Sequence, residues 1–260
     1  MKSYTIHLLR HGMTLGNQLG QYVGSTDVDL STDGINQLKN LKQKYDYGNP
    51  QLIFSSPLKR CKQTLEILFG DREVITVEGL RECNMGDFEG KTTKELVDDP
   101  RFMDWVQHGA APPNGEDNKT FSTRICTAFV ETVRDILKAG KKESVICAHG
   151  GVIMTLLAVY GLPQTDRMNW MANNGMGFTI RVTPSVWMRT GMVEVVCEYP
   201  FGSAAEPDLS QNPAKQTAAQ TGQTVFGAQD DAQDVPEDED FEEADTVFWA
   251  DVDDDDGKEK

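Results

Sequence analysis

Apolar and polar positions alternate in blocks along the first 200 residues. Residues 4–9 form a short apolar run that stops at Arg10-His11-Gly12, which predicts a buried strand entering a loop. Ile35, Leu38 and Leu41 fall at helical spacing behind Leu30-Ser31-Thr32-Asp33, with Ser31 or Thr32 suited to cap the helix. Residues 52–54 predict the next strand. Ser55-Ser56-Pro57 leads into a helix with proline in its first turn and Leu58, Leu65 and Leu68 as the buried stripe. A third strand is expected at 74–77, a long helix at 121–137, and a strand at 144–148 that ends on His149-Gly150-Gly151, where a helix begins at once. Residues 177–182 and 192–199 read as two closing strands. Strands alternating with helices predict an α/β layer fold with a mostly parallel sheet. Ligands in such sheets sit beyond the carboxyl ends of the strands, and both Arg-His-Gly and Ala-His-Gly-Gly fall there.

The segment 78–118 breaks the alternation. It holds Trp105, short helical pieces and the turn-prone Pro112-Pro113-Asn114-Gly115, and reads as a lid over a site. Phe102, Trp105 and His108 are its candidates for contact with a leaving group, with packing inside the lid as the alternative.

Charge divides the chain in two. The formal net charge is -16, yet residues 1–200 carry 23 acidic and 22 basic side chains, whereas 201–260 carry 18 and 3. The expected organisation is a nearly neutral folded domain over 1–200 and an acidic tail over 201–260 whose composition predicts disorder. Thr224-Val225-Phe226 recurs in the tail as Thr246-Val247-Phe248 and is its candidate docking element for a protein partner. With no lysine- or arginine-dense face, nucleic-acid binding is not expected. No apolar run reaches bilayer length, and Met1–Gly12 lacks a cleavage-site pattern, so neither a membrane span nor a signal peptide is expected. Cys61, Cys83, Cys126, Cys147 and Cys197 contain no Cys-x-x-Cys pair, which argues against a disulfide framework or zinc site and favours the reducing cytoplasm. Cys61 and Cys83 are expected to pack in the core.

Four histidines are present, and two stand in glycine-flanked loops at strand ends. His7 and His108 read as structural. His11 and His149 join Arg10 and Arg60 in a constellation suited to a tetrahedral oxyanion, because the arginine fork matches phosphate oxygens and a helix start presents free N–H groups.

These residues carry a family resemblance. Leu9-Arg10-His11-Gly12-Met13-Thr14, Asn17 and Gly24 are followed by Asp29-Leu30-Ser31, Gly34 and Gln37, and then by the run from Ser55 through Thr64. Leu80-Arg81-Glu82 with Gly86, Phe88, Glu89 and Gly90 comes next, then Gly115-Glu116 and Ala148-His149-Gly150-Gly151. In this order the chain resembles the histidine phosphatase superfamily, in its phosphoglycerate-mutase-like branch, over roughly residues 3–185. The resemblance implies a three-layer α/β/α fold and a phosphohistidine mechanism. His11 would be the nucleophile, and Arg10, Asn17, Arg60, His149 and Gly150 would bind the phosphoryl group. Glu82 would be proton donor and then base, its structural alternative being an ion pair with Arg81. The mutases carry a Glu-Arg-x-Tyr-Gly segment, where this chain reads Glu82-Cys83-Asn84-Met85-Gly86. The stretch is closer to the phosphatase branch, which includes α-ribazole and broad-specificity phosphatases. The expected activity is therefore hydrolysis of a small phosphorylated metabolite without metal or cofactor. Phosphoglycerate-mutase-type transfer and a non-catalytic phosphate-binding scaffold acting through its tail are the alternatives.

Overall fold

Alternating side chains give each central strand two buried faces, as a sheet covered by helices on both sides requires. The computed structural model describes residues 2–202; the tail beyond, including both Thr-Val-Phe segments, lies outside the described residues. Strand β1 (Tyr4–Arg10) turns Ile6 and Leu8 toward one helical layer and Leu9 toward the other. It is followed by α1 (Leu15–Gln18), α2 (Thr32–Lys44), β2 (Leu52–Ser55), α3 (Lys59–Phe69) and β3 (Ile75–Thr76). The segment after β3 contains two 3-10 turns, α4 (Thr93–Leu96) and α5 (Pro100–His108). Then come α6 (Asn118–Ala139), β4 (Glu143–Ala148), α7 (Gly150–Tyr160), β5 (Gly161–Leu162), β6 (Gly177–Val182), α8 (Pro184–Thr190) and β7 (Val193–Tyr199).

The strands form one sheet in the order β3-β2-β4-β1-β6-β7-β5. β1 pairs parallel with β4 and antiparallel with β6; β2 is parallel to β4 and β3. The sheet is parallel on one side of β1 and mixed on the other. Ile6, Leu8, Phe54 and Ile146 pack with Phe129 and Val133 of α6 and Val152 and Leu156 of α7. Leu9, Ile53 and Val145 pack on the opposite face with Leu38 of α2 and Cys61, Leu65 and Leu68 of α3. Each such aliphatic or aromatic burial contributes about 1.5–3 kcal/mol, enough to hold the strand ends in register. The layered α/β expectation is met.

Several boundaries differ from expectation for local reasons. Pro57 was expected inside the helix, but α3 starts at Lys59, behind Leu58, which offers no side-chain cap. The carboxylate of Asp27, far away in sequence, accepts from Lys59 N at 2.7 Å and does the capping instead. The third strand shrinks to Ile75–Thr76, an exposed edge pair. The long helix starts earlier than expected because Asp117 caps it through Thr120 N at 2.8 Å. Helix α8, between the two closing strands, carries no strong periodic signal in sequence; it begins on Pro184 and ends on a left-handed Gly191. Among the described residues, no helix is long and apolar enough to cross a membrane.

Within 78–118, Phe88, Leu96 and Phe102 form a small core of their own, joined by Tyr22 and Trp105. Phe102 and Trp105 are thus packing residues of this segment. His108 is exposed and pairs with Asp104 on its own helix at 2.9 Å.

Candidate active site

Three parallel strands deliver the site. β1 ends in Arg10 and runs into His11; β4 runs into His149 and α7; β2 runs into Ser55-Ser56 and α3, which carries Arg60. His11, Arg60, Glu82 and His149 are all buried, and the rings of His11 and His149 lie 5.2 Å apart at 61°. Sequence-distant groups meet here because adjacent parallel strands bring their carboxyl ends to one edge.

The His11 ring is oriented by its backbone. Nδ1 lies 2.6 Å from the Gly12 carbonyl oxygen. A carbonyl only accepts, so Nδ1 carries the proton and Nε2 keeps a free lone pair. The following peptide is held by Thr64, whose hydroxyl accepts from Gly12 N at 2.8 Å. Burial, followed by the guanidiniums of Arg60 and Arg10, holds His11 well below the ordinary imidazole range. His149 is held down in the same way, by burial first and Arg60 next, and its Nε2 lies 2.7 Å from Ser56 Oγ. Both rings are therefore neutral near pH 7.

The arginines are fixed by carbonyls rather than carboxylates. Arg60 donates through Nη1 to Thr26 O at 2.8 Å and through Nη2 to Gly24 O at 2.7 Å. Arg10 donates through Nη1 to Ala172 O at 2.8 Å. The Nε atoms of both are buried without a protein partner. Burial pulls both guanidiniums below their usual range, though they stay charged at any physiological pH. Unmatched buried N–H groups in a cationic site are what an oxyanion would satisfy. Gly150 abuts the guanidinium of Arg10, with room for a β-carbon only 3.5 Å from Arg10 Cζ. Asn17 caps α1 from within, accepting through Oδ1 from Thr14 N at 3.1 Å and from Asn174 Nδ2 at 3.4 Å. Its own amide nitrogen is left to donate.

Glu82 does not pair with Arg81, which instead binds Glu78 at 3.0 Å. The Glu82 carboxylate accepts from Cys83 N and from Gly151 N, each at 2.9 Å. It is thereby tied to the first turn of the helix that follows His149. Cys83 and Cys61 are buried as expected; burial pushes the Cys83 thiol up to about 12, which suits packing and not reactivity. Cys61 packs against His149, with Sγ 3.7 Å from Nε2.

The sequence alone assigns no role to several supporting residues. Glu89 accepts from Ser25 N at 2.8 Å, Thr26 N at 2.9 Å and Met85 N at 3.1 Å, so it clamps the loop whose carbonyls hold Arg60. Ser56, Thr64 and Glu89 lie inside the motifs that carry the resemblance, but only the fold reveals what they touch. Arg167, whose Nε is buried without partner, contributes positive charge near Glu82. It sits in the irregular segment after β5 and gives no sequence signal. His7 proves structural: it is buried, bonds Thr179 Oγ1 at 3.0 Å and stacks on Tyr199.

A layered α/β protein with two histidines and two arginines converging at parallel strand ends is the class that fold and site define. The chain belongs to the histidine phosphatase superfamily (branch 1), whose sequence pattern matches residues 6–188. It is 28% identical over 176 residues to the adenosylcobalamin/α-ribazole phosphatase of Escherichia coli, covering 65% of this chain and 85% of that protein. It is 32% identical over 196 residues to the glucosyl-3-phosphoglycerate phosphatase of Mycolicibacterium vanbaalenii, covering 68% and 82%. Phosphoglycerate mutases are also among its relatives. The fold is that of the α-ribazole phosphatase from Shigella flexneri, with a TM-score of 0.64 at 24% identity over 78% of this chain and all of that one.

Proposed function

We propose that the protein is a phosphatase that hydrolyses a small organic phosphate monoester through a phosphohistidine at His11. One observation carries this reading: Nδ1 of His11 is committed to the Gly12 carbonyl at 2.6 Å, which leaves Nε2 as nucleophile beside two arginines with unmatched Nε groups. Nε2 attacks phosphorus and the bond to the ester oxygen breaks. Glu82 supplies the proton that the departing oxygen takes up. Water then attacks the phosphohistidine, Glu82 takes its proton, and the phosphorus–nitrogen bond breaks to release phosphate. Arg10, Arg60, His149 and the Asn17 amide bind the three non-bridging oxygens as charge develops on them, with the Gly150 N–H at the start of α7 as a further donor. No step calls on a metal, since the guanidiniums supply the positive charge.

Hydrolysis is favoured over mutase transfer because the segment after Glu82 lacks the arginine and tyrosine of the mutase pattern. The unpartnered Arg167 Nε near Glu82 favours a leaving group with polar or anionic character. The two phosphatase relatives suggest α-ribazole phosphate and glucosyl-3-phosphoglycerate as the first compounds to try. The catalytic domain is assigned to 1–200, with 78–118 as the segment bordering the site through Glu82 and Glu89. The test is turnover of a phosphomonoester panel with and without EDTA. His11→Ala should be inactive, and activity that survives this change would refute the phosphohistidine reading.

A further inference from the structure

The main chain of His11 is held by groups that take no part in binding phosphate. Its carbonyl oxygen accepts from Asn174 Nδ2 at 3.0 Å and from Gly175 N at 3.2 Å, the latter N–H being shared with Arg10 O at 3.0 Å. Asn174 and Gly175 belong to the turn that enters β6. Gly175 has φ +76°, in the left-handed region, and a β-carbon there would meet Leu38 and Leu41 at 2.8 and 2.9 Å. The turn is pinned from the other side by Tyr47, whose hydroxyl donates to Gly175 O at 2.7 Å. Tyr47 is itself held: Tyr199 OH donates to Tyr47 O at 2.7 Å, and Tyr199 stacks on His7 at 4.3 Å. Tyr47 and Tyr199 are both buried, and burial raises both phenols, so they are donors at all relevant pH.

From this chain of contacts we infer that Tyr47 is a positioning residue for His11, acting through the 173–175 turn. The inference rests on the phosphohistidine reading above. The peptide between His11 and Gly12 is gripped at both ends: the carbonyl by Asn174 and Gly175, the N–H by Thr64. Rotating that peptide moves both the Cα from which the imidazole springs and the Gly12 carbonyl that sets its tautomer. Removing the Tyr47 hydroxyl frees the Gly175 carbonyl and lets the turn slide along β1, which shifts the groups that hold the His11 carbonyl and, less directly, Asn17 through Asn174. Because Asn174 and Gly175 both grip the His11 carbonyl, the loss should fall on the chemical step more than on substrate binding. Nothing in the sequence marks Tyr47, which sits in a loop over 120 residues from the turn it holds.

The experiment uses the full chain with p-nitrophenyl phosphate, and compares wild type with Tyr47→Phe, Tyr199→Phe, Tyr160→Phe and His11→Ala. Tyr47→Phe should lower kcat about five- to tenfold with KM changed no more than about twofold, since small misplacements of a reacting group cost up to about 100-fold. Tyr199→Phe, one contact further away, should show a smaller loss in kcat. Tyr160→Phe, which removes a hydroxyl on α7 away from the turn, should keep wild-type kcat. Melting temperatures separate positioning from folding: a lower melting temperature with wild-type kcat in Tyr47→Phe overturns the inference. So does an equal loss of kcat in Tyr160→Phe. If His11→Ala stays active, the phosphohistidine reading itself fails; if His11→Ala is dead and Tyr47→Phe is normal, only the positioning role fails.

Discussion

Gly151 N donates to Glu82 Oε2 at 2.9 Å, and a β-carbon on Gly151 would stand 2.5 Å from Glu82 Oε1. The carboxylate thus rests directly on the helix that follows His149, at a distance only glycine permits. In Gly151→Ala the methyl group must displace the carboxylate. Alanine favours the helix by about 1 kcal/mol over glycine, which offsets part of the clash in stability but none of it in geometry. The expected outcome is a kcat lowered about 100-fold with little change in melting temperature, measured by steady-state kinetics and thermal denaturation.

Glu82→Gln separates the two half-reactions. p-Nitrophenolate is a good leaving group that departs without a proton donor, whereas attack by water still needs a base. Stopped-flow mixing should show a burst of p-nitrophenolate followed by turnover about 100-fold or more below wild type. Absence of a burst with uniformly slow turnover would assign Glu82 to the first step alone.

Glu89 should matter without touching substrate. Burial works to raise its carboxyl, but hydrogen bonds from Thr26, Ser25 and Met85 outweigh this and hold it below the ordinary range. Glu89→Ala frees the loop whose Gly24 and Thr26 carbonyls hold Arg60. KM should rise about tenfold, with kcat less affected. Because the folded carboxyl titrates lower than the unfolded one, its contribution is complete above the unfolded value near pH 4.3 and is lost as pH falls through the folded one. Wild type should therefore lose melting temperature more steeply than Glu89→Gln in that acid range.

The two site histidines set a different window. Burial and the arginines depress both, so the folded protein resists protonation that the unfolded chain accepts below about pH 6.5. Stability is full above that value and falls as pH drops below it. On the proposed phosphohistidine reading activity behaves differently: a neutral His11 keeps its Nε2 lone pair, so the acid limb of kcat/KM should lie well below about 6.5. A limb centred near 6.5 would contradict the burial of the ring.

Much of the candidate site was legible because strand ends announce themselves: an apolar run that stops at Arg10-His11-Gly12, and another at His149-Gly150-Gly151, place four of its groups at once. Arg60 and Glu82 followed from motif order. What sequence could not supply were contacts made across the sheet. The Asp27 cap on α3 moves the helix start past Pro57 because a carboxylate 32 residues away replaces a local one. The aromatic residues around Trp105 resembled a substrate wall, yet they face one another, since a short irregular segment must build its own core. Asn174 and Tyr47 carry no periodic or compositional signal; their meaning comes only from β6 lying antiparallel beside β1.

Arg10 and Arg60 make no ion pair among the described residues; their hydrogen bonds run to backbone oxygens. The fold thus holds two like charges close together, offset only at a distance by Glu82, Glu89 and Asp27, and leaves their direct pairing to an anion from outside. Inorganic phosphate, the released product, is as good a counterion as the substrate. The same electrostatics that draw the ester in should make the enzyme slow to let its product go, and should raise its melting temperature when phosphate is added, in proportion to the logarithm of the saturating concentration. Turnover in a phosphate-rich medium would then be governed by exchange of one anion for another, with the protein most stable when it is least active.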